Sequence, residues 1–246
     1  MYQPRTYRQK FNRERFTIFS IGFLETDLLV GTDHRSAKDT MRHDCLEIIR
    51  KTRNNLEEWE LKHPGFLSTH KPVKLDTPGP DTIRRMIECG IRTGTGPMSS
   101  VAGLFAREVS NMLKEKYKVA ELMVENGGDI YLVNTDPMLV SVYAGNSPLS
   151  NRLGFEIPPG EYGISTSSGT VGHSYSYGNA DAVTVICQDP VISDAWATAL
   201  ANKVKDAGDI EKVLRFSETI SEILGCMIIC DDRLGVRGQF NIKPVD

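Results

Sequence analysis

The stretch 124-VENGGDIYLVN-134 sets two glycines and an aspartate between two apolar runs, and the reading of that interruption decides the fold. The flanking residues are β-branched, aromatic or aliphatic, as half-buried strands require. Gly127 and Gly128 supply positive φ without steric penalty, which predicts a tight turn and an antiparallel hairpin. The same glycines would let main-chain amides approach a phosphate closely, and at this level both readings stand.

Working outward, further short apolar runs read as strands: 120–125, 129–134, 138–144, 154–157, 162–166, 182–188, 226–229 and 239–243. Residues 15–31 alternate and turn at Glu25-Thr26-Asp27, an opening hairpin. Helical periodicity runs from Ser36 to Leu61, from Pro80 to Cys89, along 97–116, from Asp194 to Val204 and from Ile210 to Leu224. Helices and strands mix without regular alternation, so the expected class is α+β, with mixed sheets flanked by helices. The helices at 97–116 and 194–204 both carry small residues on one face and both lead on to strand pairs, a pattern expected of two related halves.

Composition bounds the rest. With 246 residues, 40% hydrophobic and 25% charged, residues 1–246 are expected to form a single compact domain preceded by a basic N-terminal arm at 1–14. That arm carries Arg5, Arg8, Lys10 and Arg13, followed by Arg15, and a solvated segment is the expectation for it. A net charge of −3 argues against non-specific nucleic-acid binding. No apolar run is long enough to cross a bilayer and the N-terminus lacks a signal-peptide core, so neither membrane association nor export is expected and the cytoplasm is the expected location. Five cysteines in mostly apolar surroundings read as reduced core thiols.

Three stretches can carry chemistry. The first is the Gly127-Gly128-Asp129 turn. The second, 163-GISTSSGTVGHSYSYG-178, concentrates hydroxyls and amides in a segment suited either to an anion-binding nest or to a polar surface loop. In the third, 193-SDAWATALANKV-204, Ser193 is a candidate helix cap, and Asp194, Thr198 and Asn202 fall one turn apart on one helical face. A carboxylate and a hydroxyl so placed are hard oxygen ligands that suit magnesium. Helix capping and a hydroxyl bonded to the main chain are the structural alternative.

The order of these pieces resembles the ApbE-like flavin transferases: Asn126-Gly127-Gly128-Asp129, then Thr166-Ser167-Ser168-Gly169, then His173, then Asp194-Ala195-Trp196-Ala197-Thr198. The resemblance extends from about Asp33 to the end and is nearest to a branch containing GTGPMSSVAGLFAREV and STSSGTVGHS. It implies a two-sheet α+β fold that binds FAD and Mg2+, cleaves the FAD diphosphate, and either transfers FMN to a threonine of an acceptor protein or hydrolyses FAD. It further implies Asp194 and Thr198 as metal ligands, and Asn126, Gly127, Gly128, Asp129, Ser165, Thr166, Ser167, Ser168 and Gly169 as the flavin-nucleotide site. His173 is implied as acid/base.

Two departures accompany it. Ala102 to Arg107 stand where the family carries Lys-Gly and a following Asp, and His173 is followed by Ser-Tyr-Ser rather than Ile-Ile-Asp-Pro. The alternative readings are a non-catalytic flavin- or nucleotide-binding protein, and a homo-oligomeric interaction protein with Tyr175 and Tyr177 filling the old pocket. With the motifs in this order, the glycine pair is expected to face a phosphate.

Overall fold

A computed structural model of the chain describes residues 8, 11, 13–74, 79–170 and 176–245. Two strands, β1 (Phe16–Phe23) and β2 (Thr26–Asp33), form the opening hairpin, followed by helices α1 (Met41–Lys62) and α2 (Asp81–Thr93). A 3-10 turn at Pro97–Ser100 runs into α3 (Val101–Tyr117). Then come β3 (Leu122–Asn126), β4 (Asp129–Asn134), β5 (Met138–Ser141), β6 (Leu153–Ile157), β7 (Gly160–Ser167) and β8 (Ala182–Cys187). Helices α4 (Pro190–Ala201) and α5 (Ile210–Glu218) precede β9 (Gly225–Cys230), β10 (Arg233–Gly238) and β11 (Asn241–Pro244).

The α+β expectation holds. An eight-stranded sheet in the order β1-β2-β3-β4-β7-β8-β9-β10 is antiparallel throughout, and a three-stranded sheet runs β11-β6-β5. Side-chain alternation along each strand divides the large sheet into two faces. Leu122 and Val124 of β3 join Leu104, Val109 and Leu113 of α3 and Cys45 and Ile49 of α1 in one core. Val183 and Val185 of β8 join Trp196, Ala197 and Leu200 of α4 in its continuation. The opposite face, through Met123, Leu132, Ile164 and Met227, packs on Phe155 and Ile157 of the small sheet. Among the described residues no helix is long and apolar enough to cross a membrane.

The five cysteines are free and buried, and burial pushes the thiols of Cys45, Cys89 and Cys226 up to about 12. They are inert core side chains.

Local chemistry explains the differences from the sequence expectation. Asp33 holds the Ser36 N–H in a turn at 2.9 Å, and α1 starts at Met41 instead of Ser36. Helix α4 starts four residues early, at Pro190, because Asp189 caps it by accepting from the Val191 N–H at 2.9 Å. Ser193 therefore lies inside the first turn and is not the cap. Strand β10 escaped the sequence reading because RLGVRG, on the sheet edge, has too few buried residues to leave a pattern.

One ion pair fixes the sheet edge. Arg15 reaches from the start of β1 to Glu121, just ahead of β3 (Nε to Oε2, 3.0 Å), while the Thr135 N–H donates to Glu121 Oε1 at 2.8 Å. Hydrogen bonding from Arg15, with help from Thr135, holds the Glu121 carboxyl at about 2. Its folded-state value lies below the ordinary 4.5, so its contribution is complete above about pH 4.5 and drains away as pH falls toward 2. Glu121→Gln is expected to flatten that acid limb in denaturant midpoints measured from pH 5 to 2. An unaltered acid limb would discard this cluster as its source.

Candidate functional site

The quoted stretch folds as β3, a two-residue turn and β4. Gly127 and Gly128 both have positive φ, 69° and 108°, and Asn126 pairs with Asp129 across them. This is the backbone that a two-residue hairpin loop demands, and it accounts for both glycines. The Gly128 N–H donates to Glu125 Oε1 at 3.0 Å. Asp129 is opposite Ser165 on β7, so the turn and the Ser165–Gly169 stretch lie side by side.

The helix layer meets this sheet end at the start of α3. Asn126 Nδ2 donates to the Ala102 carbonyl at 3.2 Å, and one residue on, the Gly103 N–H donates to Asp194 Oδ2 at 2.9 Å. Asp194 thus supplies, from α4, the cap that α3 lacks from its own Ser100. The approach is close enough to require glycine, since a Cβ on Gly103 would sit 2.1 Å from the Pro190 carbonyl oxygen.

Asp194 is buried, and no basic side chain pairs with it among the described residues. Burial pushes its carboxyl up to about 7, against the opposing hydrogen bonds from the Gly103 and Ala102 amides. Thr198, one turn along α4, is half-buried, and its hydroxyl has no hydrogen-bond partner among the described residues. Asn202, a further turn on, is committed to structure: its Oδ1 accepts from the Tyr177 N–H at 2.7 Å.

The hydroxyls of 165–169 are unequally engaged. Ser165 Oγ lies 2.7 Å from Ser193 Oγ, and Thr166 Oγ1 lies 2.8 Å from Thr184 Oγ1 on the other face. Ser168 Oγ accepts from the Thr170 N–H at 3.1 Å, and the Gly169 N–H donates to the Ala180 carbonyl at 2.9 Å. Ser167 Oγ is buried with no partner among the described residues, on the same strand face as Ser165. A Cβ on Gly169 would meet the Gly178 oxygen at 1.9 Å, and one on Gly178 would meet the Ala201 oxygen at 1.8 Å, which pins the base of this loop to the end of α4. Tyr177 is exposed, with its hydroxyl 2.9 Å from His70 Nδ1. His173 and Tyr175 lie outside the described residues.

The structure therefore gathers Asn126, Asp129, Ser165 and Asp194 about the start of α3 and the neighbouring sheet end. Sequence reasoning missed the Ala102 and Gly103 amides and the Ser193 hydroxyl. The small-residue face containing Ala102 and Gly103 was the visible signal for the former. Among the described residues no three His, Cys, Asp or Glu side chains come together as a metal cage. The buried Asp194 carboxylate and the Thr198 hydroxyl one turn away nevertheless fit Mg2+, which takes one or two protein oxygens and fills its remaining positions with water and substrate phosphate. A separate surface cleft, lined by Ile48, Asp81, Glu108 and Asn111, contains none of the sequence-selected residues.

A protein-family model described as AbpE bacteria matches residues 8–221. The chain is 40% identical over 198 residues to a UPF0280 protein of Methanocella arvoryzae, covering 79% of this chain and 80% of that protein. It is 39% identical over 241 residues to a UPF0280 protein of Methanococcus maripaludis, covering 94% and 92%. In fold it is similar to the apo form of the Pseudomonas stutzeri flavinyl transferase ApbE, with a TM-score of 0.63 over 96% of each chain and 16% identity.

Proposed function

The chain belongs to the AbpE bacteria family, and from that membership we propose that it is a magnesium-dependent FAD-binding enzyme that cleaves the FAD diphosphate. It acts as an FMN transferase toward an acceptor protein, or as an FAD pyrophosphatase when water takes the acceptor's place. The observation that carries this reading is Asp194: a buried carboxylate with no cation beside it among the described residues, followed one turn later by the Thr198 hydroxyl, unengaged among the same residues. The fold shared with the flavinyl transferase of Pseudomonas stutzeri supports it.

Asp194 and Thr198 would hold the metal, which when bound neutralises diphosphate charge and stabilises the departing phosphate. The rest falls to the chain's own groups. The Asn126-to-Asp129 turn and the 165–169 stretch form the wall against which the nucleotide is positioned, with Ser167 Oγ, unpartnered among the described residues, as a donor to it. His173 takes the proton of the attacking hydroxyl as its oxygen bonds to the FMN phosphorus. The phosphorus–oxygen bond to AMP breaks, and AMP leaves with that electron pair.

Calorimetric titration with FAD, with and without Mg2+, coupled to an assay for AMP, tests this reading. Magnesium-dependent binding and sustained AMP release are expected; absence of binding in both conditions would sink it. Binding without AMP release would select the non-catalytic flavin-binding reading. That reading is favoured by the internal engagement of the Ser165 and Thr166 hydroxyls, which bond to Ser193 and Thr184 within the protein.

A further inference from the structure

The sequence places Arg8 in a solvated basic arm, yet its side chain is only 12% exposed and every guanidinium nitrogen is engaged. Nε donates to Glu125 Oε2 at 2.6 Å, Nη1 to Asp27 Oδ1 at 2.9 Å and Nη2 to the Asp27 main-chain oxygen at 2.8 Å. Glu125 is the penultimate residue of β3, directly before the Asn126-to-Asp129 turn, and its side chain is 1% exposed. Its other oxygen, Oε1, accepts the Gly128 N–H at 3.0 Å. A continuous chain of charge-assisted hydrogen bonds therefore runs from Arg8, through a buried carboxylate, to the second glycine of the turn.

We infer that Arg8 is a positioning residue for the candidate nucleotide site: by holding Glu125 it fixes the Gly127-Gly128 turn, and with it Asn126 and Asp129. The inference rests on the reading of that turn as part of the nucleotide wall. A guanidinium fork is needed because it grips the Glu125 carboxylate, Asp27 Oδ1 and the Asp27 main-chain oxygen at once, which a lysine ammonium cannot reproduce. Without it the buried Glu125 carboxylate loses a charge-assisted hydrogen bond that orients it, and it is no longer held where the Gly128 N–H requires it.

Arg15 provides an internal control. It pairs with Glu121, just ahead of β3 and remote from the turn, so Arg15→Ala removes a comparable ion pair without touching the turn. The experiment is amide hydrogen exchange of the 124–134 segment in Arg8→Ala, Arg8→Lys, Arg15→Ala and the double variant Arg8→Ala/Glu125→Gln, with FAD titration alongside. Exchange at Gly128 is expected to rise at least about tenfold in Arg8→Ala, because the carboxylate that accepts its N–H loses the guanidinium that orients it. The rise should persist in Arg8→Lys and be absent in Arg15→Ala.

Glu125→Gln should restore protection in the Arg8→Ala background, since the amide oxygen still accepts from Gly128 and the buried charge is gone. Wild-type exchange in Arg8→Ala, an equal rise in Arg15→Ala, or failure of the double variant to recover would each overturn the inference. Exchange is read without ligand. If wild-type protein binds no FAD, the functional reading fails while the exchange result still decides the role of Arg8. If it does bind, affinity should fall in Arg8→Ala and return in the double variant.

Discussion

Asp194→Asn is expected to make the metal-free protein more stable at neutral pH and to abolish its magnesium-dependent binding of FAD. The two effects share one cause. The native carboxyl is pushed up to about 7 by burial, against an ordinary value of 3.8. Between those values the folded state keeps a proton that the unfolded chain has released, so stability falls as pH rises from about 4 to 7 and levels off above.

At 1.36 kcal/mol per pH unit the burden is on the order of 4 kcal/mol, of which asparagine should recover about 1–3 kcal/mol because its carbonyl still accepts from Gly103. Denaturant midpoints in chelator at pH 5 and 7.5 would show it: wild type loses stability between the two, and the variant does not. Adding Mg2+ with FAD should stabilise wild type by ligand linkage and leave the variant unmoved. AMP release should drop at least about a hundredfold, since a metal supplies several kcal/mol of transition-state stabilisation. A variant that is less stable in chelator at pH 7.5 and keeps AMP release would remove Asp194 from the site. Such an exchange of stability for function is common where a buried charge awaits a ligand.

Gly103→Ala is the second large effect, and its sign is opposite to what the local sequence suggests. Glycine inside a helix is disfavoured relative to alanine by about 1 kcal/mol, so propensity alone forecasts stabilisation. Here the added Cβ would lie 2.1 Å from the Pro190 oxygen, 2.6 Å from its carbon and 3.1 Å from Asp194 Cβ. The contact is main chain on main chain, and α3 and α4 must separate to relieve it.

The cost should reach or exceed the ~3 kcal/mol at the upper end of overpacking, equivalent to about 6–12 °C in melting temperature for a chain of this length. Separation also withdraws the Gly103 and Ala102 amides from Asp194, so FAD binding should weaken in the fraction that remains folded. Gly22→Ala, where the nearest atom is at an ordinary 3.6 Å, is the control. Equal melting temperatures for Gly103→Ala and wild type would mean that the helices yield without strain.

Strands β8 and β9, buried along their whole length, were legible as the continuous apolar runs AVTVIC and GCMIIC. The β3–β4 hairpin was legible because adjacent glycines between two strand-like runs supply the positive φ that a two-residue turn demands. The α+β class followed from the succession of such segments, and the family from the order of four motifs along the chain. These are local properties: a face is buried or a turn is tight, and the residues that record it are neighbours.

What the tertiary structure alone decided are pairings between distant residues. The sequence offers Asp194 as a metal ligand or as a charge at the start of its own helix; the tertiary structure adds that it caps a different helix, through a bond spanning 91 residues. Local composition marks Arg8 as a solvated charge, yet it reaches Glu125 across 117 residues. Residue type and position mark Ser193 as a cap, yet it lies within α4 and meets Ser165 on β7. No periodicity records these contacts, because each is set by where two independently folded elements happen to dock, and a polar side chain leaves the same local pattern whether it meets water, a ligand or another strand.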